Sequence, residues 1–186
     1  MSLRTIDFLA GAVLLFVFLA AIGGQYYLRA RRSSRATWES LLNRLTFVDR
    51  AAIARIALDV IDESGHRRRD ETSATLESAE IWKLIGGWNG VEALESNCTV
   101  LIDLAFYVQQ WYPEALLIAE QLRLNAREVE WHIGRLRATV KTGNRKTAAS
   151  EYVRQAAAIY FQMTLEVLSL YEQANIPGFA DLQRVL

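Results

Sequence analysis

The chain has a single cysteine, Cys98, so no disulfide can form within it and a disulfide-stapled scaffold is excluded. Histidine occurs only twice, at His66 and His132. A two-metal carboxylate bundle needs Glu-x-x-His on two helices. Val129 stands three residues before His132, and Glu128 stands four before it, a spacing that suits a simple side-chain contact. Cys98 and His132 form the one conceivable nucleophile–base pair, but Cys98 falls on an apolar helical face, where a free cysteine acts as a small buried hydrophobe. Net charge is also lacking: 21 basic residues balance 21 acidic ones, which argues against a general nucleic-acid-binding protein. No stretch alternates with a period of two, so neither a P-loop nor a dinucleotide-binding glycine motif has a strand to follow. With only two prolines, Pro113 and Pro177, long helical patterns run uninterrupted.

What the chain does have is one long apolar run near its start. From Phe8 to Gly24 no side chain is charged or hydrogen-bonding, and Tyr26, Tyr27 and Leu28 extend the stretch past Gln25. A helix crosses a bilayer core with roughly 20 apolar residues, because lipid offers the backbone no hydrogen-bond partner. The run is longer than the apolar region of a cleaved leader, and a basic cluster follows it directly. Residues 8–28 are therefore expected to form a retained single-pass transmembrane signal anchor in contact with the lipid bilayer. Phe8, Leu14, Leu15, Phe16, Phe18 and Ile22 would form its body, and Tyr26 and Tyr27 an interfacial pair. Arg29, Arg31, Arg32 and Arg35 follow it, against Arg4 alone before it. The positive-inside rule then places residues 1–7 outside and the C-terminal domain in the cytoplasm, across a bacterial inner membrane. The four arginines set topology first; contact with anionic headgroups is the sharper reading.

Residues 29–36 read as a basic linker and residues 37–186 as one all-α domain, an antiparallel bundle of about four to five helices. Trp38, Leu41, Leu45, Val48, Ala52, Ile56 and Val60 recur at spacings of three and four, which predicts one helix across them. A polar loop is expected over residues 64–73, and a short helix over 75–85, ended by Gly86-Gly87. Asn89 and Glu92 have the spacing of a capping box for the next helix. That helix ends before Pro113, which opens a longer one towards Thr142. The cleanest apolar face is Ala156, Tyr160, Met163, Val167, Leu170 and Ala174 on the last long helix, followed by a short terminal helix or tail.

Three features carry possible chemistry. The carboxylate pairs Asp59/Asp62, Glu77/Glu80 and Glu92/Glu95, each at i, i+3, would matter only if they converged; helix-start capping explains most of them. The aromatics Trp82, Trp88, Trp111, Tyr112 and Trp131 either fill bundle ends or line a partner groove. Arg135, Arg137, Lys141, Arg145 and Lys146 straddle a turn and suit a helix C-terminus or a lipid surface. Asn97-Cys98-Thr99 matches a glycosylation sequon, expected to be unused inside a helix. The pattern favours a non-catalytic, membrane-tethered interaction or scaffold module with a protein partner or self-association. No catalytic, metal or cofactor residue is expected, no cofactor and no nucleic acid. The alternative is a ligand- or metal-sensing domain, or an enzyme, built on the carboxylate pairs. One anchor plus a helical bundle is a plan shared by unrelated membrane proteins, so it names no activity.

Overall fold

A computed structural model describes residues 11–21, 24, 37–60, 75–141 and 148–186, and divides the chain into two compact units, Met1–Ala36 and Thr37–Leu186. All regular structure among the described residues is α-helical. In the first unit, residues 11–21 are helical, and Leu14, Leu15, Phe16 and Phe18 are exposed together with Val13, Val17 and Leu19. Seven consecutive exposed apolar residues cover every side of a helix, leaving no polar face. Among the described residues no helix is long and apolar enough to cross a membrane. The expected span is thus followed only over this portion; Phe8, Ile22, Tyr26, Tyr27 and the arginines Arg29, Arg31, Arg32 and Arg35 lie outside the described residues.

The second unit contains α1 (Trp38–Leu42), α2 (Arg50–Leu58), α3 (Ser78–Ile85), α4 (Gly87–Val108), α5 (Ala115–Lys141), α6 (Ala148–Gln173) and α7 (Phe179–Val185). Helix α6 is the centre: it packs against α2, α3, α4, α5 and α7. Its sequence explains that position. Ala156, Ala157, Ala158, Ile159, Tyr160, Met163, Val167, Leu170 and Tyr171 are all buried, and the run of alanines lets neighbouring helices approach closely. Facing it, α4 contributes Leu94, Leu101, Leu104 and Val108, and α5 contributes Leu122, Val129, Ile133 and Leu136.

Two sequence expectations are corrected. The single helix expected over Trp38 to Val60 is two helices, broken at residues 43–49. The break has a cause far away in the chain. Asn97 Oδ1 accepts the Thr46 backbone N–H at 2.8 Å, while Nδ2 donates to the Thr46 carbonyl at 2.8 Å and to the Tyr160 hydroxyl at 3.1 Å. Those backbone groups are then unavailable to a helical ladder. Asp49 restarts the helix, its carboxylate accepting the N–H groups of Ala51 and Ala52. The second correction is at α4. Asn89 is not its N-cap; the helix begins at Gly87, directly after Gly86, and both glycines have positive φ (68° and 79°). At Gly90 an added Cβ would lie 1.6 Å from the Ile85 carbonyl oxygen, so the α3–α4 corner depends on a hydrogen there. The expected loop over 64–73 and the turn at 143–144 lie outside the described residues.

Candidate functional site

Among the described residues Asp59, Glu80 and Glu95 are each engaged by partners on other elements rather than by one another. Among the described residues no group of three or more His, Cys, Asp or Glu side chains could hold a metal. Glu80 is paired with Arg55 across α2 and α3, and Glu95 with Arg137 through two bonds of 3.2 and 2.7 Å across α4 and α5. Asp62 lies outside the described residues. Asp59 has a structural task. Its side chain is 5% exposed and accepts the Thr75 N–H and hydroxyl, each at 2.8 Å, and the Leu76 N–H at 3.3 Å, with Arg154 Nε 3.6 Å away. Burial alone would raise its pKa; the bonds from Thr75 and Leu76 and the Arg154 charge outweigh that and hold the carboxyl below the usual range. The group therefore fastens the segment entering α3 to the end of α2 and to α6.

Cys98 is buried at 2% exposure, and burial first, then the Glu130 and Glu95 charges, push its thiol up to about 12. It is a neutral thiol at physiological pH, without the thiolate a nucleophile needs. His132 is buried against Trp131 and Tyr152, with Glu128 3.8 Å from Nε2. Arg137 of the basic cluster is taken by Glu95 and Arg135 lies 5.5 Å over the Trp131 ring; Arg145 and Lys146 lie outside the described residues.

The aromatics do assemble, but in three separate groups. Trp82 meets Trp88 at 5.5 Å, and Trp131 meets His132 and Tyr152. The third group lines an open cleft of about 640 Å³ formed by Trp38, Tyr107, Trp111, residues 174–178 and Asp181. Rings run in a chain through it: Tyr171–Trp38 at 5.4 Å, Trp38–Tyr107 at 6.1 Å and Tyr107–Trp111 at 5.0 Å, edge to face. Its inner end is fixed by Tyr171, fully buried, whose hydroxyl donates to the Leu104 carbonyl at 3.1 Å and whose pKa burial raises strongly. Trp111 forms the outer end and is 60% exposed.

The floor of the cleft follows from how α6 stops. Asn175 takes a left-handed φ of 48°, its N–H bonds to the Glu172 carbonyl at 3.1 Å, and the Ile176 N–H reaches back to Tyr171 at 3.3 Å. This is the pairing of a Schellman cap. Ile176 and Pro177 then cross the cleft, and Gly178, at φ 102°, lies beneath the Trp38 indole. A Cβ at Gly178 would come within 2.7–2.9 Å of that ring, so glycine there is what lets Trp38 lie flat against the turn.

No family model, curated protein or solved structure matches the chain. Its reading rests on this geometry. Of the cleft residues, the sequence marks Trp111 as a candidate groove aromatic, whereas Trp38 reads as part of an apolar helical face and Tyr107 carries no separate signal. The i, i+4 spacing of Tyr107 and Trp111 is the one signal that points to part of the cleft.

Proposed function

We propose that the protein is a membrane-tethered, non-catalytic interaction module whose aromatic cleft docks a protein partner. The observation that carries this reading is the cleft itself. Tryptophan and tyrosine side chains, here the half-buried Trp38 and Tyr107 and the exposed Trp111, are among those that dominate binding energy at protein interfaces. A cleft of about 640 Å³ with apolar walls and few polar groups is within the size range of ligand sites, and Trp111 is 60% exposed at its mouth.

Tethering is supported by the uncharged run from Phe8 to Gly24, by the all-round apolar exposure of residues 13–19, and by Arg29, Arg31, Arg32 and Arg35 behind it. On this reading the N-terminus is outside, the segment 8–28 spans the inner membrane once and the helical domain works in the cytoplasm. Retention in the membrane pellet after alkaline carbonate tests the anchor; release into the supernatant would overturn it. The docking role is tested by affinity purification of the tagged full-length protein, wild type beside Trp111→Ala. A partner recovered in near-stoichiometric amount with the wild type and lost with the variant is expected. Equal recovery with both, or recovery of the protein alone, would refute the role of the cleft.

A further inference from the structure

The electrostatics of the cleft give its partner a chemistry, which rests on the docking role proposed above. Among the described residues no basic side chain lines the cleft, whereas Asp181 does. Two helix C-termini open onto it: α4 ends beside Tyr107 and Trp111, and α6 ends at the 174–178 turn. Neither helix has a basic residue in its last turn, so the negative end of each helix dipole meets no cation from its own helix there. The amino end of α7 and Arg184 act in the opposite sense. Helix α7 begins at Gly178 with Asp181 in its first turn, and Arg184 stands 3.5 Å from Asp181 in an ion pair open to water on both sides. Aromatic rings, the Asp181 carboxylate and the ends of two helices thus line a space to which, among the described residues, no cationic side chain contributes a wall.

We infer that the cleft receives an arginine side chain presented by an extended segment of the partner protein. A planar guanidinium stacks on tryptophan and tyrosine faces and donates in fixed directions to a carboxylate or carbonyl oxygens. The same stacking already occurs within this protein, where Arg135 lies over Trp131. The cleft is much larger than one guanidinium, and Ile176 and Pro177 supply an apolar wall for the flanking residues of a peptide. A free small cation would leave most of that wall uncovered.

The test is fluorescence polarisation with the full-length protein in a non-ionic detergent. The probe is a labelled pentapeptide with arginine at its centre, leucine on each side and glycine at both ends. Its control replaces the arginine by citrulline, which has the same shape without the charge. The arginine peptide should bind at least tenfold more tightly. Trp111→Ala should remove that advantage, and Asp181→Asn, a change at an exposed side chain, should reduce it severalfold while leaving the citrulline peptide unchanged. Equal affinity for the two peptides, lost in Trp111→Ala, would overturn the charge assignment while leaving the cleft as a docking site. Binding that neither substitution alters would overturn both, as would no binding of either peptide together with unchanged partner recovery from Trp111→Ala. Displacement by tetramethylammonium at the concentration of the peptide itself would assign the site to a free cation instead.

Discussion

Removing the amide of Asn97 should unfasten the segment between α1 and α2 from the bundle. Asn97 is 1% exposed and makes three hydrogen bonds, two to the Thr46 backbone and one to Tyr160. Each neutral bond is worth about 1 kcal/mol net, and the Tyr160 hydroxyl, buried beside it, would lose its partner. Thr46 can turn to water, so no further penalty is charged for its backbone groups. Asn97→Ala should therefore cost about 3 kcal/mol. For a domain of this size that lowers Tm by roughly 6–12 °C. Asn97→Asp sharpens the test. Protonated, the carboxyl can donate to the Thr46 carbonyl as the amide does; ionised, it places charge against that carbonyl in a buried site. Its folded pKa is then raised above the unfolded value of about 3.9. The sign follows: its penalty is smallest below about pH 4 and grows as pH rises towards the folded pKa. Urea denaturation of wild type and both variants at pH 4 and pH 7 measures this. A cost below about 1 kcal/mol for Asn97→Ala, or a pH-independent gap for Asn97→Asp, would refute the reasoning.

Asp59→Ala should cost about 3 kcal/mol, because it removes the acceptor for Thr75 and Leu76 and leaves the Arg154 charge short of a partner. In the wild type the Asp59 contribution, with its pKa held below the ordinary value, is complete above about pH 4 and drains away as pH falls further; urea midpoints should drop on acidification more in wild type than in Asp59→Ala. Cys98 should resist iodoacetamide at pH 8 in the native protein and react once urea unfolds it, as followed by mass spectrometry. Gly90→Ala drives a methyl group into the Ile85 carbonyl and should cost about 3 kcal/mol or more by thermal melting; a neutral result would mean the α3–α4 corner is not packed as described.

The sequence shows the buried face of α6 because that face depends on local periodicity alone: Ala156, Tyr160, Met163, Val167 and Leu170 are all buried, as their spacing requires. It does not show the break between α1 and α2. Leu45 and Val48 continue the apolar period, but the amide of Asn97, brought in by tertiary packing, holds the Thr46 backbone outside a helical ladder. The same residue stands in a sequon, yet both polar atoms of its side chain are engaged in the fold, so the folded chain has no free amide for a glycan. Asn89 and Glu92 have the residue types of a capping box, but two consecutive left-handed glycines start α4 before Asn89 is reached. In the cleft, Trp38 and Gly178 meet from opposite ends of the domain, and no local pattern connects them. The partners of Asp59, Glu80 and Glu95 are equally non-local: i, i+3 spacing places two groups on one face, while Arg154, Arg55 and Arg137 come from other helices.

The central claim is that the Trp38–Tyr107–Trp111 cleft is where this protein meets its partner. Site-specific photo-crosslinking in living cells addresses it most directly, with a benzophenone side chain placed at position 111. Position 117, an exposed leucine in a different apolar cleft between α5 and α6, serves as comparison, and position 130, on an exposed polar part of α5, as background. A discrete adduct with one other protein from position 111, absent from 117 and 130, is the predicted result. No adduct from 111, or the same adduct from 117 in its place, would contradict the account.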